Sequence, residues 1–390
     1  MANEFDTMQA DSTPHAYLDI HEADQAGSFY APLKSPLSIS QLADHLIEKG
    51  LIAPSKKTLV EAISTHGYYR LRGYWLTFEC NGRFNPGTTL ISILEIEEFN
   101  REISSFIFAQ IAPMEICLRA QMCNILANHY GPEALHKPEA FRVHRDFDHL
   151  QCIIERETKQ ALKIKKPMAV HHIDKYGKLP IWVEVENSSL GTLSKAYENL
   201  ANKKVASEIA AKFEITWPFL KNWLRHLTQI RNICAHHDRI YNKMFTVKPR
   251  LHSEYQSLET SRLFPTFIVL FRLHEALDTN QTNLLRQQLG RIIDAHPTVD
   301  LKPIGFPENW REVLRIPNPD THDIVRPRGR NGGRPQKNAA VVEQALYQYD
   351  MREGSVVDIA KRCGLSLSTL YKYIHQREET EHTDYAVTSL

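Results

Sequence analysis

For about forty residues, from Leu90 to Tyr130, the chain reads as one helix-forming stretch interrupted only by Pro113. A run of that length dictates helical neighbours, because its apolar residues recur at helical spacing and need partners along the whole rod. The surroundings agree: helical periodicity continues through 147–162, 181–199, 206–213, 217–241 and 262–276, and up to about Gly290. Upstream, Ser38 is placed to cap a helix carrying Leu42 and Leu46 and closing at Gly50, a second helix is expected at 57–65, and 81–87 is a turn cluster. Alternating Val, Ile and Thr between turn residues is nearly absent, so the expected fold class is mainly α, packed as a bundle.

A chain of 390 residues exceeds one ordinary domain. The polar stretch 1–33 reads as a disordered tail and 34–296 as the helical domain. Residues 297–338, rich in Pro, Gly and Arg, read as a linker, 339–376 as a small separate helical domain and 377–390 as a second tail. Lys plus Arg number 47 against 46 Asp plus Glu, so any nucleic-acid surface comes from local clustering. The acidic, polar start and the lack of a long apolar window imply a soluble, cytoplasmic protein without a membrane span. Six scattered cysteines without a C-x-x-C pair are expected as reduced, buried thiols. Neither His171-His172 nor His236-His237 sits in a zinc-ligand pattern, so no metal and no cofactor is expected.

The segment 217–241 separates into two faces. Leu220, Trp223, Leu227, Ile230, Cys234 and Tyr241 form an apolar stripe, and Arg225, Gln229, Asn232, His236 and Arg239 gather opposite, with Arg231 between. His237 falls near the apolar edge and reads as packed. Guanidinium, amide and imidazole on one face suit a phosphodiester: the first grips nonbridging oxygens, and the last moves protons near neutrality. RNA brings its own 2′-hydroxyl nucleophile, so such a site needs neither metal nor protein nucleophile. A solvated helix face has the same residue pattern.

Elsewhere, Tyr68, Tyr69, Tyr74 and Trp75 interleave with Arg70 and Arg72, a pattern that fits base stacking or core packing with bridging arginines. Glu115 and Arg119 stand at ion-pair spacing, with a role for Arg119 near RNA as the alternative. Lys163, Lys165, Lys166, Lys175 and Lys178 read as a basic loop, either steering phosphates or simply solvated.

These tracts together resemble the abortive-infection (Abi) family of the AbiD/AbiF type, whose helical fold belongs to the HEPN ribonucleases. The resemblance runs through Lys34-Ser35-Pro36-Leu37-Ser38, Tyr68 to Trp75, Phe99-Asn100-Arg101-Glu102, Glu115 with Leu118-Arg119, and Tyr130-Gly131. It continues through Pro180 to Glu186, Gly191-Thr192-Leu193-Ser194 and Trp223-Leu224, and ends in Arg231 to Asn242. It implies a HEPN-like bundle and a homodimer that brings two R-x4-6-H motifs together. Arg231 would hold the phosphate, Asn232 would orient it and His236 would carry the proton, with Arg70, Arg72, Arg119, Arg225 and Arg239 as RNA contacts. The implied activity is a metal-independent endoribonuclease acting as a toxin, restrained by an antitoxin protein or RNA.

In the C-terminal part, Ser355 can cap a helix through Val356, Ile359 and Ala360, Gly364 makes a turn, and 365–374 carries a second helix, supported by Val341, Val342, Ala345 and Leu346. This is a helix-turn-helix pattern. With Gly332-Gly333-Arg334-Pro335 before it, the tract resembles the DNA-reading domain of invertases and resolvases. It implies DNA contacts from Arg328, Arg330, Arg334, Ser366, Ser368, Thr369 and Lys372. The alternative reading of the whole chain is a DNA-binding regulator whose helical core binds RNA or protein without catalysis.

Overall fold

A computed structural model of the chain describes residues 35–142, 144–317, 339–351, 354–365, 369, 370, 373 and 374. The chain divides into two compact units, Met1–Asn318 and Pro319–Leu390. The described residues are almost entirely helical, with one small hairpin.

In the first unit α1 (Ile39–Glu48) starts at Ser38, whose hydroxyl accepts the Gln41 N–H while the Gln41 side chain accepts that of Ser38. This reciprocal cap satisfies donors that a helix start leaves open. α2 (Lys56–His66) is capped by Ser55, and α3 (Tyr68–Trp75) follows Gly67. The hairpin β1 (Glu79–Cys80) and β2 (Arg83–Phe84) leads to α4 (Leu90–Tyr130), capped by Thr89. Pro113 does not end α4, whose 41 residues make one continuous helix about 60 Å long. Then come α5 (His144–Lys163), α6 (Pro167–Tyr176), α7 (Ile181–Asn187), α8 (Leu190–Asn199), α9 (Lys203–Ala211), α10 (Trp217–Ala235), α11 (Phe264–Leu277), α12 (Thr279–Asp294) and α13 (Trp310–Leu314).

The unit is organised around α4, which packs against α3, α7, α9, α10, α11 and α12. Ile93, Phe99, Ile103, Ile107, Leu118, Met122 and Leu126 point from it into one contiguous core. Contrary to the expectation from composition, α4 is long and apolar enough to suit a membrane span, alone among the described residues. Part of that window is buried against protein, while Phe108 and Ile116 stay exposed.

Local chemistry shifts several expected boundaries. The helix expected over 181–199 is two, because Ser188 donates back to the Glu184 carbonyl at 2.8 Å and Ser189 caps α8. The expected basic loop contains α6, started by Pro167 and closed by Gly177 at φ 73°. Of the cysteines, expected to be buried, only Cys234 is; Cys80 and Cys152 are exposed and Cys117, Cys123 and Cys363 half-buried.

The linker expected at 297–338 needs the largest correction. Residues up to Pro317 belong to the first unit: Val299, Ile304, Phe306, Leu314 and Ile316 are buried in its core. Gly290 of α12 lets this segment approach, since a Cβ there would lie 2.9 Å from Ile316 Cγ2. Arg311 clamps it through Asp294 and the Pro317 carbonyl. Among the described residues, Pro303 sits in the first turn of a short 3-10 helix, Lys302–Ile304, and the segment around it packs.

In the second unit, α14 (Ala339–Asp350) and α15 (Val356–Arg362) share a small core in which Ala345, Ile359, Ala360, Leu365, Leu370 and Ile374 are buried. Ser355 caps α15, and Gly364 turns at φ 63°. Thr369, Leu370, Tyr373 and Ile374 are helical. Arg328, Arg330, Arg334, Ser366, Ser368 and Lys372 lie outside the described residues.

Truncation checks the corrected boundary. Cutting after His296 strips Ile304, Phe306, Leu314 and Ile316 from the core, about 1.5–3 kcal/mol each, a loss comparable to a domain's whole stability. The expected outcome is an insoluble or unfolded product by circular dichroism, whereas cutting after Pro317 leaves a soluble helical protein. A second prediction concerns His226, fully buried on α10, with Nδ1 donating to the Val247 carbonyl at 2.7 Å and Nε2 beside Thr266 Oγ1 at 2.9 Å. Burial pushes its pKa down to about 4 from 6.5. The unfolded chain takes up a proton near 6.5 that the folded chain refuses until about 4, so this residue removes up to about 3 kcal/mol of stability as pH falls through that window. His136 acts oppositely: its hydrogen bond to Glu184 raises its pKa, a contribution present below 6.5 and lost as pH rises through the folded value. The stability at pH 5 relative to pH 7, read from urea midpoints, should therefore be higher in His226→Gln than in the wild type.

Candidate functional site

The site lies where α10 ends. Leu220, Trp223, Leu227, Ile230 and Cys234 are buried, as their stripe predicts. The helix stops at Ala235, not at Tyr241. His236 is the C-cap, and His237 takes φ 57° in the left-handed region. The N–H of Asp238 donates to the Ile233 carbonyl at 3.0 Å and that of His237 to Cys234 at 3.1 Å. This paired closure usually places glycine where His237 stands. His237 is therefore exposed, not packed as its position on a continued helix implied.

Two other elements hold this turn. From α3, Arg70 Nη1 donates to the His237 carbonyl at 2.7 Å while its Nε donates to Glu97 Oε1 at 2.9 Å. Glu97, nearly buried on α4, also lies 2.6 Å from His66 Nδ1. One turn further along α4, buried Asn100 turns its Oδ1 to the backbone N–H groups of Ile240 and Tyr241, at 2.8 and 2.9 Å. The Arg239 guanidinium lies over Gly73, where a Cβ would come within 2.7 Å of Nε, and donates to the carbonyls of Tyr241 and Asn242.

The polar row on α10 divides accordingly. Arg225 is exposed but within 3.6 Å of Glu198 on α8. Gln229 is latched to the following loop, donating to Thr246 Oγ1 at 2.6 Å and accepting from the Val247 N–H at 3.1 Å. Arg239 is half-buried and spends its donors on backbone, which suits a structural tie better than an RNA contact. At the helix end Asn232 and His236 remain exposed, one turn apart, with the His236 N–H donating to the Asn232 carbonyl at 2.9 Å. Arg231, half-buried, reaches Asn232, its Nη1 3.5 Å from Oδ1, and its guanidinium covers the exposed ring of Phe108 at 5.5 Å.

The remaining candidates are dispersed. Arg119 pairs with Glu115 and donates to the Val185 carbonyl, the ion-pair reading of that spacing. Arg70 is engaged by Glu97 and the turn, so it positions backbone. Arg72 is exposed on α3, and Thr369 belongs to the second unit. Tyr74 and Trp75 are core residues, whereas Tyr69 is 82% exposed. Burial pushes the Cys234 thiol and the Tyr74 phenol each up to about 12, so both stay protonated at neutral pH. Asn100, Glu97 and His66 had no role assigned from sequence. The signal for Asn100 was present, a polar residue at a core position between Phe99 and Ile103.

The three tracts that converge here, α3, the middle of α4 and the end of α10, fall inside one matched region. Residues 61–242 match the Abi-like protein family. The Abi-like segment thus contains the whole arrangement around the histidine pair, and residues beyond 242 lie outside the match. Separately, the transposon Tn917 resolvase of Enterococcus faecalis is 40% identical over 53 residues, 14% of this chain and 29% of the resolvase. The chain therefore spans less than a third of that relative. No solved structure matches.

Asn100→Ala tests the anchoring. It leaves two buried N–H groups without an acceptor, so a loss of about 2–4 kcal/mol is expected from urea unfolding, against about 1 kcal/mol or less for Arg72→Ala on the surface.

Proposed function

We propose that the chain is an abortive-infection endoribonuclease of the HEPN type, cutting RNA at the exposed end of α10. The observation that carries this reading is the division of the polar row: Gln229 and Arg239 are tied to protein, while Asn232 and His236 are exposed one turn apart and the half-buried Arg231 comes 3.5 Å from Asn232 Oδ1. The Arg231 guanidinium holds the nonbridging oxygens of the scissile phosphate in a charge-assisted pair, and Asn232 orients that guanidinium and the phosphate. The RNA 2′-hydroxyl attacks phosphorus and the 5′-oxygen leaves, forming a 2′,3′-cyclic phosphate. His236 moves the proton at one of these oxygens, and a second copy of the chain supplies the complementary imidazole. The match to Abi-like proteins supports the biological side: a toxin in phage defence or a toxin-antitoxin pair, restrained by a protein or RNA partner and working in the cytoplasm. Resolvase similarity and the Ser355-capped, Gly364-turned pair of helices support DNA binding by the second unit, by which the protein controls its own operon or its location.

Purified full-length protein, incubated with end-labelled RNA and excess chelator, tests the reading. Cleavage is expected to persist with chelator and to leave cyclic phosphate ends. His236→Ala and Arg231→Ala should each lower the rate at least about 100-fold with circular dichroism unchanged. His237→Gly, which suits the left-handed turn, should keep activity. Intact dimeric protein that cleaves no RNA, or a His236→Ala protein as active as wild type, would favour a noncatalytic regulator.

A further inference from the structure

The first unit holds a second polar concavity, built from α10, α11, α12 and the 251–255 and 313–315 segments. Its volume is about 210 Å³, and its apolar wall includes Trp223, Phe271 and Tyr255. Three guanidiniums converge there on one carboxylate: Arg286 reaches Glu275 Oε1 at 2.5 Å, Arg315 the same oxygen at 3.8 Å, and Arg272 Oε2 at 3.6 Å. Arg286 is more than nine-tenths buried, its guanidinium lies over Phe271 at 5.4 Å, and Nη1 donates to Asn283 Oδ1 at 3.1 Å. Its Nε has no acceptor, although it is buried. A buried donor of a charged group left unpaired is costly, and native proteins rarely leave one.

Glu275 sits among the three cations, with the exposed Glu214, 4.0 Å from Arg272, and Glu254 at the rim, while Arg315 is itself largely exposed. A phosphomonoester carries nearly two charges at neutral pH and offers three acceptor oxygens to these guanidiniums, where a carboxylate offers two. Guanidiniums suit it geometrically. The apolar wall leaves room for the small organic body of such a ligand. We propose that this cavity binds a small phosphomonoester, its phosphate among Arg272, Arg286 and Arg315 and its body against Tyr255 and Phe271. The site is separate from the α10 terminus and independent of ribonuclease activity.

Isothermal titration of the full chain with inorganic phosphate, ribose 5-phosphate, adenosine 5′-monophosphate and succinate tests it. The expected result is binding of at least one of the two organic phosphates, tighter than inorganic phosphate and with succinate weakest. Arg272→Gln and Arg315→Gly should each weaken that binding at least tenfold. Glycine is chosen because Arg315 sits at φ 56°, where it is unstrained. His236→Ala should bind like wild type. Absence of binding by both organic phosphates, succinate binding as tightly, affinity unchanged in both arginine variants, or loss of binding in His236→Ala would each overturn the proposal.

Discussion

Two backbone N–H groups, of Ile240 and Tyr241, converge on the single buried amide oxygen of Asn100. The position of the α10 terminus depends on that contact. A chain leaving a helix normally satisfies its backbone with water, and this one descends into the core, where Ile240 and Tyr241 are almost wholly buried. Without an acceptor at Asn100 that path would cost about 2–4 kcal/mol. With it, the segment after the histidine pair is drawn onto α4, and the exposed residues above it are held against the longest helix in the unit.

The α3 contacts add direction. Arg70 bridges Glu97 and the His237 carbonyl, so the turn is fixed from the α3 side as well as the α4 side. Gly73 leaves the space that the Arg239 side chain occupies. The result is a rigid mount whose polar groups are almost fully spent on protein, topped by a few that are not. Of the five polar residues in that row, Gln229 and Arg239 are tied to the loop and to backbone, while Arg225, Asn232 and His236 remain exposed.

Sequence reading recovered the element types well and the boundaries poorly. The apolar stripe of α10 was legible because periodicity reports burial directly, and Ser38 and Ser355 were legible as caps because their side chains act within a few residues. The end of α10 was not, since Tyr241 continues the apolar spacing by coincidence: its burial comes from the Asn100 tie and its hydroxyl bond to the Asp300 carbonyl. Likewise prolines in 297–317 were misleading because composition cannot say whether an irregular segment packs. Residue type and spacing placed Asn232 and His236 on one polar face, and both are exposed, whereas Arg239 and Arg119, given as RNA contacts by the resemblance, are engaged by backbone or by contacts distant in sequence.

Spacing alone also fails to choose between the two adjacent histidines, since four residues separate Arg231 from His236 and five separate it from His237. Geometry separates them. His236 closes the last turn one turn beyond Asn232, its N–H on the Asn232 carbonyl, and Arg231 comes within 3.5 Å of the Asn232 Oδ1. The positive φ at His237 turns its side chain away from that helical succession. A non-glycine residue there costs roughly 1 kcal/mol, and a charge-assisted hydrogen bond of the kind Arg70 makes to its carbonyl is worth about 1.5–3 kcal/mol. The clamp from α3 thus offsets the strain and keeps the turn closed. His237 serves the site through its backbone, which fixes the place from which the His236 ring projects.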